Sequence, residues 1–376
     1  MEFASRISKL KESATFKYSA MAKREGIIDL TIGRTNFDTP MVIKEAAKKA
    51  LDEGKVHYTP TRGIPELREK IVEKLRDENS ISDLDKERVI VSTGAKQIIL
   101  EAVMALINEN DPVAIPDPSW VSYESIVKFS GGKIIWLPLS AENGFIPDEK
   151  FFSVFENSNS RLIFLNSPNN PTGAVYPKKV IRSIVDIAER RDSWIISDEI
   201  YEKLIYEGKH FSAGSIYPKC IVVNGFSKEF SMTGWRLGYA ACSEKELIDK
   251  MNLIQGQSVS CATSFAQYGA LAAFTEEAKK ETEKMRDELK KRRDYLMKRL
   301  NEMDVLCIKP KGAFYTFPSL GEIDDIKFSD RLLENGVAVI PGSPFGSSGK
   351  GCVRMSYGAA SIEELKNAMD KMRDIK

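Results

Sequence analysis

Lys228 and Arg236 stand eight positions apart in residues 224–240, N-G-F-S-K-E-F-S-M-T-G-W-R-L-G-Y-A. An amine that attacks a carbonyl near neutral pH must shed its proton, and both partial burial and a cationic neighbour promote that. Lys228 lies among Phe226, Ser227, Phe230 and Met232, with Arg236 to follow, which suits the demand. A lone lysine is ordinarily a solvated charge, and the chain holds 55 Lys plus Arg. The case therefore rests on partners elsewhere. Three offer themselves: the small-residue run Ser92-Thr93-Gly94-Ala95-Lys96, the aromatic Trp120, and the acid Asp198.

Apolar runs place these partners. Residues 221–223 precede the lysine stretch as a buried strand, 89–91 precede the small-residue run, and 194–197 precede Asp198. Further strands are expected at 27–32, 113–116, 133–137 and 162–165, with helices between them. Such alternation over some two hundred residues predicts a mostly parallel α/β sheet, which binds ligands at the carboxyl ends of its strands. Between strand 89–91 and an apolar helix over 98–107, free backbone N–H groups at the positive helix end would form an anion site; an ordinary strand–helix turn reads the same way. Thr39 is expected to cap a helix beginning at Pro40 and carrying Val42, Ile43, Ala46, Ala47 and Leu51 on one face. A short helix is expected near 18–24 and another from Pro65. In the turn 166–173, N-S-P-N-N-P-T-G, the bond Asn170-Pro171 is a candidate for the cis form.

At residue 275 the composition turns charge-rich. Met285, Leu289, Leu296 and Leu300 recur at helical spacing and predict one long amphipathic helix over 275–303. Strand-like pieces at 305–308, 314–317, 337–340 and 352–356 and a helix at 362–372 then suggest a smaller α+β domain. The expected division is 1–40 as an N-terminal segment joining the small domain, 41–274 as the large domain and 275–376 as the small one. The glycine-rich run 346–351 fails the phosphate-loop spacing and reads as a surface turn.

Composition closes several doors. With 55 basic and 54 acidic residues the chain offers no electrostatic footprint for nucleic acid or an anionic membrane. Five widely spaced cysteines without a C-x-x-C argue for a reducing compartment. Two histidines leave little room for His-based metal sites or Ser-His-Asp triads. No stretch is apolar enough to span a bilayer, and residues 1–26 are basic and mixed rather than signal-like. The expectation is a soluble cytoplasmic protein.

An anion turn at Gly94, a flat aromatic at Trp120, an acid at Asp198 and an amine at Lys228 together describe a pocket for a flat phosphorylated aldehyde. Pyridoxal phosphate needs these groups: an amine for its aldehyde, a carboxylate for its ring nitrogen, donors for its phosphate. Five motifs carry the resemblance further: Y-T-P-T-R-G-I-P-E-L-R, N-S-P-N-N-P-T-G-A-V-Y, S-D-E-I-Y-E, S-K-x-F-x-M-T-G-W-R-x-G-Y and V-R-M-S-Y. The chain resembles, nearly end to end, the class I pyridoxal-phosphate aminotransferases of fold type I, in the prokaryotic-type aspartate aminotransferase subgroup.

That resemblance implies a seven-stranded, mostly parallel sheet flanked by helices in the large, cofactor-binding domain. It makes Lys228 the lysine that bonds the cofactor and shuttles the proton. Asp198 would pair with the ring nitrogen, and Tyr201 and Asn170 with the ring's phenolic oxygen. Arg236 and the backbone of Gly94, Ala95 and Lys96 would hold the phosphate, with Trp120 stacked on the ring. Tyr58 would reach the phosphate of a neighbouring subunit, implying a homodimer with shared sites. Arg354 would fork the substrate α-carboxylate, helped by Gly33 and Asn170. Two departures stand out: Arg34-Thr35-Asn36 follows Gly33 where relatives usually show Glu-Pro-Asp, and Gly225 stands where a serine is often found three positions before the lysine. Lys96 would meet the distal carboxylate of aspartate or glutamate, with 2-oxoglutarate as acceptor in a ping-pong cycle. An aromatic or broad-specificity aminotransferase and a β-lyase are the competing enzyme readings. A ligand-sensing regulator on this fold would need an appended basic helix-turn-helix, for which the first forty residues are too short.

Overall fold

The computed structural model describes residues 7, 10 and 12–375. Its centre is a seven-stranded sheet of order β2-β8-β7-β6-β5-β3-β4. In that numbering β2 is Val89–Ser92, β3 Pro112–Asp117, β4 Lys133–Pro138, β5 Leu162–Asn166, β6 Trp194–Asp198, β7 Cys220–Gly225 and β8 Gly238–Ala241. All neighbours run parallel except β8, which is antiparallel to both β2 and β7. Alternate residues feed two separate cores. Val89, Val91, Ala114, Ile163 and Val222 face one, and Ile90, Val113, Ile115, Phe164 and Ile221 the other. Burial on both faces is why these strands read as continuous apolar runs rather than as alternating ones.

Helices cover both faces. In chain order they are α1 (Ala14–Met21), α2 (Met41–Asp52), α3 (Pro65–Asn79), α4 (Ala95–Leu106), α5 (Val121–Phe129), α6 (Glu149–Asn157), α7 (Lys178–Arg190), α8 (Lys245–Ser258) and α9 (Ser264–Ala270). The long helix, α10, spans Glu276–Glu302, and Thr275 caps it by accepting from the Ala278 N–H. Met285, Leu289, Leu296 and Leu300 are all buried on it, each contributing about 1.5–3 kcal/mol of apolar burial. They join a core shared with α11 (Asp325–Glu334), α12 (Ile362–Ile375) and the short strands β9 (Tyr315–Thr316), β10 (Val337–Ala338) and β12 (Val353–Ser356), while β11 (Ile340–Pro341) pairs with β12 and turns Ile340 into the first core. Strand β1 (Ile28–Asp29) pairs parallel with β10, so the N-terminal residues are stitched to this second core.

Several local expectations need correction. Thr39 caps nothing: its hydroxyl donates to the Ser231 carbonyl, and α2 starts after Pro40 without a side-chain cap. Leu51 is exposed, and the apolar face of α2 is completed by Ala50 instead. The helix expected near 18–24 lies earlier, at Ala14–Met21. Residues 305–308 form only an isolated bridge, Leu306 to Ser319, because Leu306 points into solvent and leaves one buried residue, Val305. Strand β8 was absent from the sequence reading because G-Y-A-A is short and follows the motif-rich loop directly.

The run 346–351 is not a surface turn. Ser347 donates to Asp117 Oδ2 at 2.5 Å, the Ser348 N–H donates to Asp117 Oδ1 at 3.0 Å, and the Ser119 N–H donates to the Phe345 carbonyl at 2.9 Å. This loop therefore clamps the second core onto the carboxyl end of β3. Asn170-Pro171 is cis, as are Asp117-Pro118 and Ser167-Pro168.

Candidate active site

The carboxyl ends of β2, β5, β6 and β7 bring the predicted residues to one place. Strand β6 delivers Asp198, buried at its last position. Its Oδ2 accepts a 2.6 Å hydrogen bond from the Tyr123 hydroxyl, and its Oδ1 accepts from the Ile200 N–H at 3.3 Å. Burial lifts the Asp198 carboxyl to about 6, held from rising further by the Tyr123 bond. Tyr123 is itself buried, stacked on Phe164 at 4.4 Å and met edge-on by Trp120 at 5.3 Å. The sequence reading missed Tyr123. Its only signal was the three-residue spacing from Trp120, which precedes α5 and meets Tyr123 edge-on in its first turn.

Strand β7 ends at Gly225 and hands the chain to Lys228, whose Nζ donates to the Gly33 carbonyl at 2.5 Å. Lys228 keeps some surface exposure, yet its ammonium sits in densely packed protein. Desolvation, then Arg236 and Arg354, push its pKa from the usual 10.5 down to about 8, against the pull of Asp198. Gly225 is here because a side chain would collide: a Cβ would stand 2.8 Å from the Gly238 Cα.

Arg236 sits in the left-handed region at φ 55°, with Nη1 donating to the Thr233 carbonyl at 2.9 Å and Nη2 to that of Thr93 at 3.3 Å. It faces the start of α4, where the first-turn N–H groups of Ala95 and Lys96 have no acceptor within the helix. Gly94 (φ 96°) and Gly238 shape this cradle. A Cβ on the first would stand 2.8 Å from Arg236 Nη2, and one on the second 2.6 Å from the Ala95 nitrogen. Two free N–H groups, a helix N-terminus and a guanidinium converge there, which is the donor set a phosphate requires. Lys96 Nζ lies 5.0 Å over the Trp120 ring and 5.4 Å over that of Phe16. Desolvation, then Arg236, lower its pKa.

Strand β12 supplies Arg354, 1% exposed. Its Nη1 donates to Asn170 Oδ1 at 3.0 Å and its Nη2 to the Thr31 carbonyl at 2.5 Å, while its Nε is buried without a partner. The guanidinium is sandwiched by Tyr315 at 4.6 Å and Phe345 at 5.1 Å. No carboxylate among the described residues pairs with it, so it is a buried cation whose charge only a ligand acid would offset. Tyr201 and Tyr315, both in the second core, share a 2.8 Å hydroxyl contact at the site. Gly33, whose Cβ would meet the Tyr315 hydroxyl at 2.9 Å, completes the wall. Tyr58 alone stands apart, 89% exposed.

Glu199, Glu202 and His210 gather beside Asp198, their ligand atoms within 4.8 Å of one another. The protein itself satisfies them. Lys74 and Asn79 donate to Glu202, and Ser197 and Ser212 to Glu199. His210 Nε2 lies 2.8 Å from Glu199, and although burial opposes its charge, the two carboxylates carry its pKa up. With an ammonium already in place, this is an internal ion network backing β6.

Comparison with known proteins agrees with the geometry. The "Probable aspartate aminotransferase" of Methanocaldococcus jannaschii is 43% identical over 378 residues, covering 99% of each chain. The "Aspartate/prephenate aminotransferase" of Thermus thermophilus is 41% identical, over 97% of this chain and 96% of that one. Among solved structures, the aspartate aminotransferase from Thermus thermophilus with maleate superposes with a TM-score of 0.96 at 39% identity, over 100% of both chains. Residues 25–372 match the family described as aminotransferase class I and II. A lysine with a depressed pKa, a buried acid behind it and an unpaired buried arginine, on a sheet of this order, thus belong to a member of the class I and II aminotransferase family.

Proposed function

We propose that this aminotransferase uses pyridoxal phosphate on Lys228 to move the amino group of a dicarboxylic amino acid, aspartate foremost, to 2-oxoglutarate. The observation that carries this reading is Lys228 at a pKa of about 8, set among Arg236, Arg354 and Lys96, with Asp198 in reach of its field. Bound there, pyridoxal phosphate supplies an aldehyde that takes up the amino group and a ring that takes up the electron pair left at the substrate Cα. The phosphate cradle at Gly94, Ala95, Lys96 and Arg236 fits that cofactor. Asp198 would hold the ring nitrogen protonated, since an opposite charge in contact favours the charged form. Tyr201 and Asn170 would serve the cofactor's phenolic oxygen, and Trp120 would cover its ring.

Arg354 and Asn170 hold the substrate α-carboxylate, aided by the Gly33 backbone. Lys228 Nζ, when neutral, would accept the proton from the substrate Cα and hold it as an ammonium for return. Tyr58 is assigned to the phosphate of a second copy of the chain. Its exposure, beside that of Val56 and Leu253, supports a homodimer with shared sites. The division at residues 40 and 274 stands as a proposal too, supported by a core built largely from residues after 274 together with Leu30. No helix of the described residues is long and apolar enough to cross a membrane, in keeping with small-molecule partners.

Capture of the cofactor tests the lysine. Only the neutral amine attacks an aldehyde, and a lowered pKa leaves more of it neutral. The rate at which cofactor-free protein develops the bound-cofactor absorbance should therefore rise with pH and reach half its limit near pH 8. A rise centred near the usual 10.5, or none, removes Lys228 from the role.

Lys96 carries the substrate choice. Lys96→Ala should raise KM for aspartate by about 10–100-fold, the worth of a charge-assisted contact, and for an aromatic donor by less than about twofold. Equal changes end the distal-carboxylate assignment. The rings of Phe16 and Trp120 around Lys96 favour a second reading, in which aromatic donors are accepted in the same space.

A further inference from the structure

Residues 31–33 are threaded between the two poles of the site. The Thr31 carbonyl accepts from Arg354 Nη2 and the Gly33 carbonyl from Lys228 Nζ. The next residue, Arg34, is where this segment emerges into solvent. Consecutive Cα atoms are about 3.8 Å apart, so Arg34 stands at the rim of the pocket and nowhere else. Its side chain makes one hydrogen bond, Nη1 to the Thr35 carbonyl at 3.3 Å. No carboxylate pairs with it among the described residues. The acid closest in sequence, Asp38, is engaged by Lys44 at 2.5 Å. The Arg34 backbone carbonyl is packed against Gly358, where a Cβ would stand 2.6 Å away, so the rim position is fixed from the second core. Inward of it lie Lys228, Arg354, Lys96 and Arg236, none of which has an ion-pair partner among the described residues.

From this arrangement we propose that Arg34 is a specificity-determining residue that draws dianionic substrates into the site by charge, without contacting the reacting atoms. The proposal rests on the dicarboxylate reading above and names how that preference is reinforced at the mouth. The work of an exposed charge on an incoming ligand is proportional to the ligand's charge, and low-dielectric walls lined with one sign of charge focus it. A dianion therefore gains twice the logarithm of affinity that a monoanion gains. Screening erases the gain, because the Debye length shrinks from about 30 Å at 0.01 M salt to about 3 Å at 1 M.

The test compares two unreactive acids on the holoenzyme by calorimetry: succinate, a dianion, and hydrocinnamate, a monoanion. At about 0.01 M salt, Arg34→Glu should weaken succinate about tenfold and hydrocinnamate about threefold, with Arg34→Gln giving about half of each effect on a logarithmic scale. At about 1 M salt every ratio should fall below about twofold. Equal weakening of the two acids, weakening that survives high salt, or no weakening would overturn the role of Arg34 and leave the dicarboxylate reading standing. Wild-type protein that binds hydrocinnamate and not succinate removes both.

Discussion

Lys228→Ala should lower kcat for transamination by at least about 10⁴-fold, measured under single turnover with the cofactor supplied in excess. A positioned general base alone contributes about 10²–10⁴-fold, and on the reading proposed above this variant would also lose the amine that bonds the cofactor. The residue is poised for the double task. Desolvation and two guanidiniums lower its pKa to about 8, while Gly33 accepts its proton-bearing Nζ at 2.5 Å. The phosphate cradle is untouched by the change, so the variant should still bind pyridoxal phosphate, without the absorbance of the lysine-bound form. Turnover at the wild-type rate would end the assignment outright.

The second large effect is at Arg354. Arg354→Lys should raise KM for every amino-acid donor by about 10²-fold or more, irrespective of side chain, with a smaller change in the rate at saturation. The guanidinium reaches Asn170 and Thr31 through separate nitrogens while its faces are covered by Tyr315 and Phe345. A lysine presents a point charge and cannot reproduce that fork. Losing one member of a buried hydrogen-bonded charge pair costs about 2–5 kcal/mol, consistent with the expected factor. Donor-by-donor KM values check it. A penalty confined to aspartate would mean that Arg354 reads the side chain and not the shared carboxylate.

These residues differ in how visible they were in the chain. Lys228, Asp198 and Gly94 follow continuous apolar runs, and a strand buried on both faces announces its own carboxyl end. The long helix α10 was equally plain, because Met285, Leu289, Leu296 and Leu300 keep helical spacing through a charged sequence. Tyr123 was not, since a tyrosine inside a helix carries no mark of the acid it will meet 75 positions away. The strands of the second core are two to four residues long, too short for period-two alternation to separate them from loop, which is why 305–308 misled. Thr39 and the run 346–351 failed for a related reason. Their polar groups found tertiary partners, Ser231 and Asp117, that outbid the local pattern.

The bond from Arg354 to the Thr31 carbonyl joins positions 323 apart in the chain. Closing so long a loop is slow, and contacts of this span form after local ones. A nascent polypeptide released from the ribosome only to residue 300 would own the lysine, the acid and the phosphate cradle, yet lack the grip on a substrate's carboxylate. The grip on a carboxylate is thus the part of the site that waits for the final strand, β12.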